Sequence, residues 1–360
     1  MDSFNCVDYP TIALDDAAGE IIILDQTLLP GEVRLLRLSK IEDIWEAIKV
    51  LRVRGAPAIG VTAAFAAYLA GKSIETEDIQ EFVKEFNKAV DYLATSRPTA
   101  VNLFWALDRM KGVVSKLAGK AGGKGAPVTV GKIKAALLKE SLAVRDEDIT
   151  ICKSIGEHAI NLLKPGMGLL THCNAGRLAT VEYGTATSVM YLGHERGYGF
   201  RIYCDETRPL LQGARLTAFE LAAAGICPTV ICDNMVSSLM KAGEVDAVFT
   251  GCDRVAANGD SANKIGTSGV AIIAKHYGVP FYICAPSSTL DMATPDGDGI
   301  VIEQRPPEEV TEMWYRQRMA PKEANVYNPA FDVTDASLIT AIITEDGVIP
   351  PARLKEYYVL

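Results

Sequence analysis

Two residues in this chain combine a reactive side chain with a place at the end of an apolar run: Cys173 in "THCNAGRLAT" and Asp253 in "VDAVFTGCDRVAANGDSANKIGT". A thiol becomes a nucleophile, acid or base once its ionisation is tuned, and a carboxyl group is a natural second member of a proton-transfer pair. Cys173 follows Met167-Gly168-Leu169-Leu170 and precedes Asn174-Ala175-Gly176, a turn expected to feed a helix N-terminus, where a thiolate is favoured. The plainer reading is a small buried apolar residue, as Cys232 and Cys284 read. Asp253 meets Arg254 at the next position. Closure of a site over the carboxyl would raise its pKa toward acid–base use, whereas the guanidinium would oppose this; the plainer readings are a helix cap or a surface ion pair.

"NGDSANKIGTSG" carries Asn263, Lys264, Gly266 and Gly269 around an expected helix start. Backbone N–H groups there, with one lysine, form a ready anion site, and a phosphate is the natural ligand. Neither GxxxxGK[ST] nor GxGxxG is present in this segment, which argues against ATP and dinucleotides. Arg54 in "RVRGAPAIG" and Arg97 in "TSRPTAVN" each precede a helical pattern near proline. On the residues alone they read as solvated arginines.

Five apolar runs, "MGLLTHC", "FRIYCDE", "PTVICDN", "VDAVFTGCD" and "PFYICAP", alternate with helix-like stretches after Gly166. These stretches include "VEYGTATSVMYLGHER", "PLLQGARLTAFELAAAG" and "SANKIGTSGVAIIAKHYG". Near-continuous apolar strands with crossover helices predict a parallel, doubly wound sheet covered on both faces. Ligands of such sheets bind beyond the carboxyl ends of the strands, so Cys173-Asn174, Asp205 to Arg208, Asp233-Asn234 and Asp253-Arg254 are expected along one edge.

The first third reads differently. "GEIIILDQTLLPGEVRLLRL" predicts two short strands joined at Pro30-Gly31, and helical patterns follow through "KIEDIWEAIKVL", "RGAPAIGVTAAFAAYLAG" and "DIQEFVKEFNKAVDYLATS". "AGKAGGKGAPVTVGK", residues 118–132, has the composition of a linker or exposed loop. The expected division is a mainly helical domain with a small sheet over residues 1–130 and a Rossmann-like α/β domain over residues 131–360.

Composition bounds the partners. With 49% hydrophobic and 22% charged residues, 360 residues suffice for two well-packed domains and leave no room for extended disorder. A formal net charge of −9 argues against a general nucleic-acid or anionic-membrane surface and points to a small molecule. The opening MDSFNCVDYP shows no secretory pattern, and no apolar run reaches the ~20 residues of a membrane span. The eight cysteines are scattered, several in apolar runs, as reduced thiols of a cytoplasmic protein are. With no CxxC pair, no HExxH and only four histidines, no metal is expected.

"RGAPAIG", "SRPTAVNL", "THCNAGRLAT", "DETRPLLQGARLTA" and "TGCDRVAANGDSANKIGT", taken in order, closely resemble the methylthioribose-1-phosphate isomerase family of methionine salvage. The resemblance runs from about Gln26 to Asp335. It implies a helical N-terminal domain, a Rossmann-like C-terminal domain, a site in the cleft between them, a homodimer, and no metal or organic cofactor. Carried over residue by residue, it implies Cys173 and Asp253 as the catalytic pair. It also implies Arg54, Gly55, Ala56, Arg97, Gln212, Asn263 and Lys264 as substrate-binding positions. Cys252 stands where alanine is more usual in the family. The implied reaction is an aldose–ketose isomerisation of 5-methylthioribose 1-phosphate, by a hydride shift or through an enediolate-like species. Ribose 1,5-bisphosphate and 5-deoxyribose 1-phosphate are the alternative substrates. A non-catalytic relative of translation-initiation exchange-factor regulatory subunits is the remaining alternative. In "RGAPAIG", Ala56, Pro57 and Ile59 are expected to form an apolar wall for the thiomethyl group, with no second basic residue for a bisphosphate.

Overall fold

The computed structural model describes residues 10–98, 100–120 and 127–358. Part of the glycine- and lysine-rich stretch, residues 121–126, and the first nine residues with Cys6 lie outside them. The chain divides into one compact unit of residues 1–150 with 177–182, and another of residues 151–176 with 183–360.

In the first unit, strands β1 (Ile12–Asp15), β2 (Glu20–Leu24) and β3 (Leu35–Leu38) pair antiparallel in that order. Alternation along β2 turns Ile21 and Ile23 fully inward. Helices α1 (Ile41–Lys49), α2 (Ala56–Ser73), α3 (Ile79–Ala94) and α4 (Val101–Ala118) follow, and then the first part of α5 (Val130–Ile160). α2 is buried from Ala58 to Leu69 on every face, as a helix without a polar side must be. Its small residues let α4 approach: a methyl group on Gly60 would sit 3.2 Å from the Asn102 carbonyl oxygen. α3 starts where the Asp78 side chain accepts from the Glu81 N–H at 2.8 Å, and it buries Phe82, Phe86, Val90 and Leu93 on one stripe.

The second unit contains a seven-stranded sheet and a four-stranded one. Its strands in chain order are β4 (Gly168–Thr171), β5 (Arg201–Asp205), β6 (Pro228–Ile231), β7 (Ala247–Thr250), β8 (Arg254–Ala256), β9 (Ser261–Lys264) and β10 (Phe281–Cys284). β11 (Leu290–Asp291), β12 (Phe331–Thr334), β13 (Ala341–Thr344) and β14 (Gly347–Ile349) complete them. The large sheet runs β14-β13-β10-β7-β4-β5-β6, all parallel except the β13–β14 pair. The chain winds outward one way from β4 through β5 to β6, then returns to β7 on the other side of β4 and winds the other way. β4 and β7 therefore flank the topological switch point.

Helices α6 (Ser188–Glu195), α7 (Ala218–Ala223), α8 (Val236–Lys241) and α9 (Thr267–Tyr277) accompany these strands. One apolar core lies with Leu169, Cys204, Phe249 and Cys284, another with Leu170, Tyr203, Val248 and Ile283. Consecutive residues of each strand enter different cores, which is why the strands read as unbroken apolar runs. The small sheet, β11-β8-β9-β12, corrects one expectation: "SANKIGTSGVAIIAKHYG" is a strand followed by a helix, not a single helix.

Candidate active site

β4 ends at Thr171, and Cys173 beyond it adopts φ 65°, in the left-handed region that side chains other than glycine rarely occupy. The corner is held on both sides of the peptide. Cys173 N–H donates to Thr207 Oγ1 at 2.8 Å, and the Thr217 hydroxyl donates to the Cys173 carbonyl at 2.6 Å. Asn174 Nδ2 donates to Thr217 Oγ1 and to the fully buried Glu220, each at 3.1 Å.

The partner corner after β5 is as constrained. Thr207 has φ 63°, which for a β-branched residue costs on the order of 1–3 kcal/mol. Offsetting this, the Thr207 and Arg208 N–H groups both donate to Asp233 at 2.7 Å, and Thr207 Oγ1 donates to the Asp205 carbonyl at 3.1 Å. Gly213 lies so near that a methyl group there would come within 1.6 Å of the Asp205 carbonyl oxygen. Gln212 immediately precedes the π-helical turn Gly213–Thr217; it is buried, and its Oε1 has no hydrogen-bond partner among the described residues.

The helix expected directly after Cys173 is absent. A single 3₁₀ turn, Arg177–Ala179, intervenes, and α6 begins only at Ser188. The segment after Cys173 therefore supplies no helix N-terminus directly to its thiol. Residues 177–182 belong instead to the first unit. There Thr11 Oγ1 donates to the Arg177 carbonyl at 3.1 Å, Gln26 Nε2 to the Leu178 carbonyl at 2.7 Å, and Val181 N–H to Asp148 at 2.7 Å. Gly55, at φ 90°, caps α2 against this segment, and a Cβ at Gly55 would fall 2.4 Å from that of Ala179. Only glycine fits.

Asp253 follows β7, the strand next to β4. The two strand ends approach closely, because a Cβ on Gly251 would sit 2.5 Å from the Ala175 Cβ. Asp253 is exposed, and its N–H donates to the Ala262 carbonyl at 2.9 Å, which ties it to the small sheet. Arg254 pairs with Asp291 at 3.2 Å. Burial raises the Cys204 and Cys284 thiols, so these core cysteines are neutral.

Asn263 is buried, with Nδ2 donating to Thr267 Oγ1 at 3.0 Å. Lys264 Nζ donates to the Ala330 carbonyl at 2.9 Å and lies 4.6 Å from the Phe331 ring centre. The start of α9 departs from the expected anion site. Gly266 and Ser268 N–H both donate to Asp332, at 2.8 and 3.2 Å, so a carboxylate of the chain occupies these donors. Arg54 and Arg97 are half-buried in the first unit, on the approaches to α2 and α4, and Ala56 opens α2. Ile59 is 1% exposed within the core of that unit, which removes it from the expected apolar wall; Ala56 and Pro57 are half-buried.

His172 is the residue whose role the sequence left unread. Its Nδ1 is 2.9 Å from Asp205 Oδ2 and its Nε2 is 2.9 Å from the Ile265 carbonyl oxygen. His172, Asp205 and Asp233 also bring ligand-type atoms within 4.8 Å of one another, a spacing that a metal ion could use. These atoms are engaged with one another and with backbone N–H groups: Nδ1 with Asp205, and both Asp233 oxygens with the Thr207 and Arg208 amides.

The family model described as "Initiation factor 2 subunit family" matches residues 52–351. The chain belongs to that family. It is 61% identical over 350 residues to a methylthioribose-1-phosphate isomerase from Symbiobacterium thermophilum, covering 96% of this chain and 95% of that one. It is 56% identical to a 5-deoxyribose 1-phosphate isomerase from Petrotoga mobilis, covering 94% and 95%. A crystal structure of 5-methylthioribose 1-phosphate isomerase from Pyrococcus horikoshii OT3 superposes with a TM-score of 0.88 at 41% identity, covering 96% of this chain and 94% of that one. No helix among the described residues is long and apolar enough to cross a membrane.

Proposed function

We propose that this protein is an aldose–ketose isomerase that converts 5-methylthio-α-D-ribose 1-phosphate to 5-methylthio-D-ribulose 1-phosphate in methionine salvage. The observation that supports it most is that Cys173 and Asp253 follow adjacent strands at the switch point of a doubly wound sheet, in a chain 61% identical to a methylthioribose-1-phosphate isomerase.

The reaction breaks the bond between C1 and the ring oxygen, moves the C2 hydrogen to C1, and turns the C2 hydroxyl into a carbonyl. The ring oxygen gains a proton as the C2 hydroxyl loses one, so an acid and a base are required. Cys173 and Asp253 are assigned to these tasks. Phosphate on the anomeric oxygen blocks opening to a free aldehyde. The hydrogen therefore travels either as a proton, through a phosphorylated enediolate-like species, or as a hydride while Asp253 handles the oxygen protons.

Arg54, Gly55, Ala56 and Arg97 of the first unit, with Gln212, Asn263 and Lys264 of the second, are proposed to bind the substrate. The Oε1 of buried Gln212, without a hydrogen-bond partner among the described residues, supports its part. The net charge of −9 supports a small-molecule partner over nucleic acid, and the family resemblance supports a cytoplasmic homodimer without a cofactor.

A second reading, 5-deoxyribose 1-phosphate, is favoured by the relative of that name. The two sugars differ only by the thiomethyl group, whose burial is worth roughly 10- to 200-fold. Assaying kcat/KM for 5-methylthioribose 1-phosphate, 5-deoxyribose 1-phosphate and ribose 1,5-bisphosphate tests the reading. The methylthio sugar is expected to lead, with the bisphosphate last. A higher value for either rival reassigns the substrate, and no isomerisation of any of them rejects the enzyme.

A further inference from the structure

His172 is 1% exposed, yet both of its ring nitrogens face acceptors. The Ile265 carbonyl can only accept, so Nε2 carries a hydrogen; an ionised Asp205 can only accept, so Nδ1 carries one as well. The ring is then an imidazolium. Three carboxylates face it from three other parts of the unit: Asp205 at the end of β5, Asp233 after β6, and Asp332 in β12. Gly266 leaves room for it, since a Cβ there would fall 2.9 Å from His172 Cε1.

The cluster links the strand ends that carry the proposed chemistry. Asp205, bonded to the ring, also accepts through its carbonyl from Thr207 Oγ1, the atom that holds the Cys173 N–H. On the other side, Ile265 directly follows Lys264 at the end of β9.

We propose that His172 is a positioning residue for the isomerisation: an imidazolium clamped between Asp205 and the Ile265 carbonyl, it holds the Cys173 corner and the Asn263–Lys264 strand end in register. This rests on the reading of Cys173 as catalytic and of Asn263 and Lys264 as substrate-binding.

Burial is the largest single influence on the ring and pulls its pKa down. The Asp205 hydrogen bond and charge, the Asp233 charge and the Ile265 carbonyl together outweigh it, so the net direction is up. Burial also pushes Asp205 up. The two directions compete for the same proton; the Asp233 charge raises both groups alike, and we place the proton on His172 because the Asp332 carboxylate faces the ring. A raised imidazole pKa stabilises the fold fully below about pH 6.5, and that contribution fades as pH rises through the raised value.

Two substitutions separate the tethers. His172→Gln keeps a donor near the Nε2 position and gives up the Asp205 link, whereas His172→Asn keeps one near Nδ1 and gives up Ile265. With 5-methylthioribose 1-phosphate, His172→Gln is expected to lower kcat about 10-fold or more with KM held within about 3-fold, and His172→Asn to raise KM chiefly. Amide exchange reads the same split without turnover: Cys173 N–H loses protection in the Gln variant, and Gly266 N–H loses it in the Asn variant. In wild-type protein labelled with ¹⁵N histidine, both His172 nitrogens are expected to be protonated at about pH 7.5. A neutral His172 ring at that pH, or parallel losses in both variants, would overturn the proposal. Full activity of Cys173→Ser would instead reject the catalytic reading alone, because exchange and ring protonation still report on the clamp.

Discussion

At the end of β4 the corner is buried and fixed from several directions, whereas at the end of β7 the carboxyl-bearing residue is exposed. Cys173 sits in a left-handed conformation with its N–H and carbonyl both bound by threonine hydroxyls from distant segments, and it is buried. Asp253 is exposed; its backbone is tied to Ala262, and its neighbour Arg254 turns to Asp291. The difference suggests a division of labour. The thiol is set rigidly by interlocking loops, and the carboxyl is carried by an inserted sheet that places it without enclosing it.

The comparison predicts unequal sensitivity to mutation. Gly213→Ala should be the most damaging change, because its methyl group would overlap the Asp205 carbonyl; a loss of about 3 kcal/mol is expected in denaturant unfolding. Stability close to wild type would mean that the β5 corner is softer than its geometry implies. Thr207→Val removes the acceptor of the Cys173 N–H while conserving shape. It should cost roughly 1–2 kcal/mol and lower kcat about 10-fold.

On the exposed side, Asp291→Asn breaks the half-exposed pair with Arg254 and should cost less than about 1 kcal/mol, with kcat changed by under about 3-fold. A larger kinetic loss than that of Thr207→Val would invert the comparison. The smallest effect should come from Gly269→Ala within α9, where a methyl group meets nothing within 4 Å. A gain of about 0.5 kcal/mol is expected there, read as a rise in Tm.

What the sequence disclosed follows the same divide. β4, β5, β6, β7 and β10 were legible, because strands buried on both faces of a parallel sheet must be apolar throughout, and the polar residues that end them mark the ligand edge. β9 was not, since "SANK" has neither an apolar run nor clear alternation, and its partner β12 lies far along the chain. The α9 donors looked available for the same reason: Asp332, which occupies them, is 66 and 64 residues away. His172 shows nothing in the sequence beyond its place beside the cysteine. Its role depends on Asp205 and Ile265, contacts 33 and 93 residues distant that no local pattern records. Cys173, Asp253 and the proposed binding residues are pointed to chiefly by their motifs, because the contacts that dictate glycines such as Gly55 and Gly213 are revealed by the fold alone.

The central claim is that Cys173 and Asp253 act as one unit on a sugar phosphate. The most direct test is kcat/KM with 5-methylthioribose 1-phosphate for Cys173→Ser, Asp253→Asn and the double variant. Each single change should cost about 10²-fold or more, and the double variant should be scarcely worse than the weaker single, as for groups that serve one transition state. Near wild-type turnover in either single variant, or losses that multiply in the double, would contradict it.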